Sequence, residues 1–136
     1  MIVTRNLAAC GLAALLLAAA FPAAAQTSPP PQPMVKNGLY VMRDGEAIYR
    51  NVCAACHMAD ARGAAGSGAY PALAANPRLA SAAYAIQIVI HGRKGMTAFG
   101  PMLDDDQIAA VVTYVRRHFG NAYAGPATAA EVKAMR

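Results

Sequence analysis

Cys53-Ala54-Ala55-Cys56-His57 constrains this chain more than any other stretch. Two cysteines two residues apart, with histidine directly after the second, match the attachment signal for a c-type haem. Each thiol can add to one vinyl group of the macrocycle. The double tether then brings the next side chain under the iron, so His57 is expected as the proximal ligand. The other chemistries open to such a pair fit less well. A structural zinc site needs a second pair of thiol or imidazole ligands, and the remaining cysteine, Cys10, lies in an apolar N-terminal run. A redox dithiol of the thioredoxin kind belongs in a βαβ setting, of which the sequence gives no sign. At 136 residues the chain fits one small domain that must fold around the attached group.

The N-terminus agrees with that chemistry. Residues 1–6 carry one positive charge, Arg5, and residues 7–21 are apolar throughout. Ala23-Ala24-Ala25 supplies the small residues of a cleavage site, so residues 1–25 read as a secretory signal peptide cut before Gln26, and the mature protein is expected in the periplasm. The apolar run is short for a membrane span, so membrane association is expected only through a partner or an uncleaved signal. Hydrophobic residues make up 57% of the chain, but much of that is alanine in this segment. Loss of Arg5 with the signal reduces the formal charge from +5 to about +4, a mild basicity without the long Lys/Arg run that nucleic acid would call for. It reads as a solvated surface, biased toward an acidic protein partner.

Four prolines between Gln26 and Pro33 make residues 26–36 an extended leader outside the core. Asp44 is a plausible N-cap, and Gly45, Ile48, Tyr49 and Val52 fall on one face of a helix that runs into the cysteines. Gly45 is costly inside a helix unless another element packs closely on it, and the last helix is the expected neighbour. Residues 59–76 read as a Gly/Ala-rich loop. Ser81 caps a second helix through Ile90, apolar nearly all round and so expected to be buried. Residues 93–102 return to loop. Asp104 and Gln107 then form a capping-box pair for a final helix whose stripe is Ile108, Val111, Val112, Val115 and Phe119. Arg116, Arg117 and His118 sit in its last turn, and Gly120 stops it. Residues 124–136 are expected to form a loosely attached tail. No stretch alternates for long in the strand pattern, so the fold class is all-α.

A haem tethered at His57 leaves its other axial position to be filled. Downstream candidates are Met96, Met102, Met135, His91 and His118. His/Met ligation is the electron-transfer arrangement, and the ligand must come from a loop that can cross the opposite haem face. Met96, beside Gly95, lies in such a loop and is favoured. Met102, next to Leu103, is the alternative but suits plain packing better. The two histidines lie at helix ends, where a cation is commonly found.

Together these residues resemble the class I cytochromes c over roughly residues 37–123. In that family an N-terminal helix crosses the C-terminal helix around one covalently bound haem, through a glycine and aromatic residues that match Gly45, Tyr49 and Tyr114. The resemblance implies that the carbonyl of Pro71 accepts a hydrogen bond from the ring of His57. It also implies that Met96-Thr97-Ala98-Phe99 is the ligand loop, with Thr97 where the family has proline. Within the family the loop around Tyr70-Pro71 and the His91-Gly92 stretch are similar to small cytochrome subunits of bacterial periplasmic dehydrogenases.

The function expected from this reading is one-electron transfer by a single covalent haem c, without a substrate site and hence without enzyme activity. Cys53 and Cys56 tether, His57 and Met96 ligate iron, and Pro71 orients His57. The resemblance implies a partner dehydrogenase as donor and the respiratory chain as acceptor. Arg93 and Lys94 flank the ligand loop and are candidates for propionate or partner contact. The contrasting class, a haem enzyme or gas sensor with a displaceable sixth ligand, would need polar groups gathered around Met96, and the sequence places none there.

Overall fold

A computed structural model describes residues 34–66 and 69–136. The apolar run, the cleavage site at Ala25 and the leader up to Pro33 lie outside the described residues. Among the described residues no helix is long and apolar enough to cross a membrane.

The fold is mostly helical, as expected, with one short hairpin as its first element. β1 (Val35–Lys36) and β2 (Leu39–Tyr40) pair antiparallel, Val35 opposite Tyr40 and Lys36 opposite Leu39. Between them Asn37 and Gly38 have φ of 53° and 78°. Two successive positive φ values are what an Asn-Gly hairpin turn requires. The strands are too short to alternate visibly, so the dipeptide is the only signal for them.

Everything else is helical or loop. Asp44 caps α1 (Gly45–Ile48), its carboxylate accepting from the Ala47 N–H at 2.9 Å. The run continues without a break through a π-helical turn (Tyr49–Cys53) into α2 (Ala54–His57). A 3₁₀ turn (Pro77–Ala80) leads to Ser81, whose hydroxyl caps α3 (Ala82–His91). In α4 (Asp105–Arg117) both halves of the Asp104/Gln107 capping box are made. Gln107 does more than cap. It is 1% exposed, and its amide donates to the carbonyls of Tyr40 (2.7 Å) and Met42 (2.6 Å), tying the hairpin to the start of α4. Buried Ile48, Tyr49, Ile86, Ile90, Ile108, Val111, Val112 and Val115 form the core between α1, α3 and α4. Burial of α3 is one-sided: Ala85, Ile86 and Ile90 are buried, while Ile88 and Val89 are only half-buried.

The C-terminal segment is not a loose tail. It ends in α5 (Ala129–Lys133), where Thr128 and Glu131 complete a second capping box. Val132 is fully buried, and Ala127, also buried, donates its N–H to the Thr113 hydroxyl at 2.9 Å. Arg116 turns inward rather than serving the helix end. At 5% exposure its guanidinium donates to the carbonyls of Leu79, Ala80, Ala124 and Gly125, joining the 3₁₀ turn and the C-terminal segment to α4. α4 itself stops at Arg117, and Phe119, with φ of 60°, lies beyond the helix rather than on its stripe. A five-residue helix contributes one apolar anchor, which is too little to show as periodicity.

The crossing of α1 and α4 rests on Gly45. A Cβ placed there would strike the Ala110 carbonyl oxygen, lying also 2.8 Å from Ala110 C and 2.9 Å from Tyr114 Cβ. The atoms met are largely backbone and cannot rotate away. Gly45→Val is therefore expected to destabilise by about 3 kcal/mol, the upper part of the usual overpacking range. Thermal unfolding of the haem-loaded variant checks this, and an unchanged midpoint would mean that the helices can separate at no cost.

Candidate functional site

The motif lies on the helical run that begins at Gly45. Cys53 and Cys56 are one turn apart and so share a face. Cys53 is half-buried, Cys56 exposed and His57 buried at 8% exposure. A π turn ends on Cys53, a distortion that often accompanies functional sites. Burial pushes the Cys53 thiol up to about 12, with the neighbouring Cys56 adding to it. Among the described residues no three His, Cys, Asp or Glu side chains gather as a bare-metal site.

α2 stops at Met58, where φ of 66° turns the chain sharply. Tyr49 holds that turn. Its ring is fully buried against Phe119 (4.8 Å between centroids) and Tyr114 (5.8 Å), and its hydroxyl donates to the Met58 carbonyl at 2.7 Å. Burial, foremost, raises the phenol to about 12, so Tyr49 stays a donor through the whole neutral range.

His57 Nδ1 lies 3.0 Å from the Pro71 carbonyl oxygen. A carbonyl can only accept, so a neutral imidazole making this bond carries its proton on Nδ1. Nε2 then keeps its lone pair, and no protein group bonds to it among the described residues. This is how a histidine ligand is usually fixed in tautomer and orientation.

Several residues hold the Pro71 carbonyl in place. Ala64 and Tyr70 form a two-way bridge at 2.8 and 3.1 Å. Gly63 lets the two strands of the loop approach: a Cβ there would strike the Tyr70 carbonyl and lie 2.8 Å from Pro71 C. On the other side of Pro71, the Asn121 amide donates to the Leu73 carbonyl at 2.8 Å, and the Ala61 carbonyl accepts from Leu73 and Ala74. Sequence reasoning missed Gly63 and Asn121. A glycine in a Gly-rich loop carries no local mark, and the Leu73 carbonyl that Asn121 holds lies 48 residues away.

Met96 sits in a tight turn after α3, half-buried, with its N–H and carbonyl both paired to Arg93 (3.0 and 3.2 Å). Met102 is also half-buried. Its carbonyl accepts from Tyr40 at 3.1 Å, so its backbone belongs to the junction with the hairpin. His91 Nε2 is 3.1 Å from the Met135 carbonyl, and His118 Nδ1 is 2.7 Å from that of Tyr114. Both histidines thus have partners in the chain, as helix-end side chains. Arg93 donates to the Tyr84 hydroxyl at 3.2 Å, and Lys94 is exposed. The residues brought together are Cys53, Cys56, His57 and Pro71, while Met96 stands on a separate loop.

Residues 41–115 match the family described as cytochrome C oxidase, cbb3-type, subunit III. The chain belongs to this family of c-type cytochromes. Covalently bound haem c is the cofactor of such cytochromes, and electron transfer rather than enzyme catalysis is their role. The donor set fits it: two sulfurs on one helical face, followed by an oriented imidazole with a free lone pair. The chain is also 38% identical over 96 residues to the fructose dehydrogenase cytochrome subunit of Gluconobacter japonicus, a match covering 60% of this chain and 20% of the relative. It therefore spans about a fifth of that relative's length.

Proposed function

We propose that this cytochrome is a periplasmic one-electron carrier with a single haem, taking electrons from a partner dehydrogenase and passing them to the respiratory chain. Cys53 and Cys56 carry the two thioethers, His57 and Met96 are the axial ligands, and Pro71 fixes the His57 ring. The observation that carries the reading is the buried His57 ring. Its hydrogen bond to Pro71 leaves the lone pair of Nε2 for iron. His/Met ligation favours a high potential and keeps a carrier six-coordinate in both oxidation states.

The dehydrogenase donor is proposed from the similarity to a dehydrogenase cytochrome subunit, and export from the signal-like residues 1–25. Exposed Arg93 and Lys94 flank the loop of Met96 and supply positive charge for meeting an acidic donor.

The visible spectrum of the purified holoprotein tests the reading. The expected result is a six-coordinate, low-spin haem with the weak far-red band of methionine–iron(III) ligation, and one haem per chain by pyridine haemochrome assay. A high-spin spectrum would overturn the carrier assignment in favour of an open-site haem protein.

A further inference from the structure

The loop of Met96 contains Thr97, whose backbone no ring restrains, and is held instead from outside. Gly92, at φ of 68°, lets the loop backbone press close: a Cβ there would strike the Met96 carbonyl and lie 2.9 Å from Thr97 C and 2.8 Å from Ala98 N. Phe99 and Gly100 then donate to the carbonyls of Val89 and Ile90, near the end of α3, at 2.9 and 3.1 Å. The Tyr40 N–H holds the Met102 carbonyl at 3.1 Å, and a further restraint comes from the C-terminal segment. Arg136 Nη1 donates to the Gly100 carbonyl and Nη2 to the Leu103 carbonyl, each at 2.7 Å, while Nε meets Asp105 Oδ1. One planar fork thus spans the segment between the Met96 turn and the start of α4, a geometry that lysine cannot reproduce. α5 docks the segment carrying this arginine through buried Val132, and the Met135 carbonyl reaches His91 at the end of α3. The segment that carries Arg136 lies beyond residue 115, where the family match ends.

We infer that Arg136 is a positioning residue for the ligand loop. The C-terminal segment acts as a latch that keeps Met96 in place and foreign ligands off the iron. The inference rests on the proposed ligation by Met96. An incoming ligand must displace the methionine, so its apparent affinity is reduced by the free energy that holds the loop closed. Charge-assisted hydrogen bonds from Arg136 to two loop carbonyls contribute to that term.

Imidazole binding to the ferric, full-length holoprotein reads it out. Arg136→Ala is expected to raise imidazole affinity at least about tenfold, equivalent to about 1.4 kcal/mol, while keeping the far-red band in the absence of imidazole. Arg136→Lys, which keeps the charge without the fork, is expected to rise about threefold. It serves alone if the alanine variant does not accumulate with haem. An affinity within twofold of the parent in whichever variant is loaded, even with a lowered melting temperature, would overturn the latch and leave Arg136 a stabilising contact only. Met96→Ala measured alongside separates the two readings. If that variant keeps the far-red band, ligation by Met96 fails. If it loses the band while the Arg136 variants bind imidazole like the parent, only the latch fails.

Discussion

Haem is expected to stay with the polypeptide through denaturation and acid–organic extraction, and the double variant Cys53→Ala/Cys56→Ala is expected to release all of it. The thioether is a covalent bond, so no unfolding equilibrium can break it, whereas a haem held only by ligation and packing leaves when the fold is lost. The two cysteines share one helical face in front of His57, which lets both attach while the imidazole stays beneath the iron. Each single variant should therefore retain haem through the remaining thioether. Cys53→Ala should in addition lose some packing, because Cys53 lies against the core while Cys56 is exposed. Absorbance of the extracted and precipitated fractions measures the outcome directly. Free extraction of haem from the parent protein would remove the basis of the site.

The second large effect separates the two methionines. Met96→Ala should take the thioether from iron and lower the midpoint potential by more than about 59 mV, the tenfold step for one electron. A neutral, soft sulfur stabilises Fe(II) relative to Fe(III), and water or hydroxide in its place does not. The opened position should also bind carbon monoxide in the reduced state. Met102→Ala should leave potential and far-red band in place. Its side chain is half-buried, so the cost is expected at about 1–2 kcal/mol of stability, below the range of about 2–5 for a fully buried methionine. Redox titration of both haem-loaded variants is the measurement. Loss of the band in Met102→Ala with its retention in Met96→Ala would move the ligand to Met102.

Much of this was legible because it depends on residues close together in the chain. The cysteine spacing and the following histidine are one helical turn, so their chemistry is readable without a fold. The same holds for the caps at Asp44, Ser81 and Asp104, each a side chain bonding an N–H three residues on. The hairpin was equally local, and Asn37-Gly38 marks it, but strands of two residues leave no alternation to support that mark. Gly45 was legible as an anomaly, since a glycine on the buried face of a helix needs a close neighbour to justify it.

Other features rest on long-range partners. Arg116 looked like a cation at a helix end, yet it is buried on four carbonyls from two other segments, since the C-terminal chain folds back over α4. Whether residues 124–136 pack or hang free turns on Val132 finding a core to enter, and neighbouring residues cannot settle that. Gly63 and Asn121 set the Pro71 carbonyl, and Arg136 holds Gly100 and Leu103, through hydrogen bonds across the fold. The sequence by itself therefore determined the motif of two cysteines and a histidine and the helices that carry it, because bond lengths and helical rise confine those to a few consecutive residues. Only the tertiary structure decided what holds the Pro71 segment against that histidine and what restrains the methionine loop. Backbone carbonyls are the same at every position, and only the path of the chain brings a given one to a given donor.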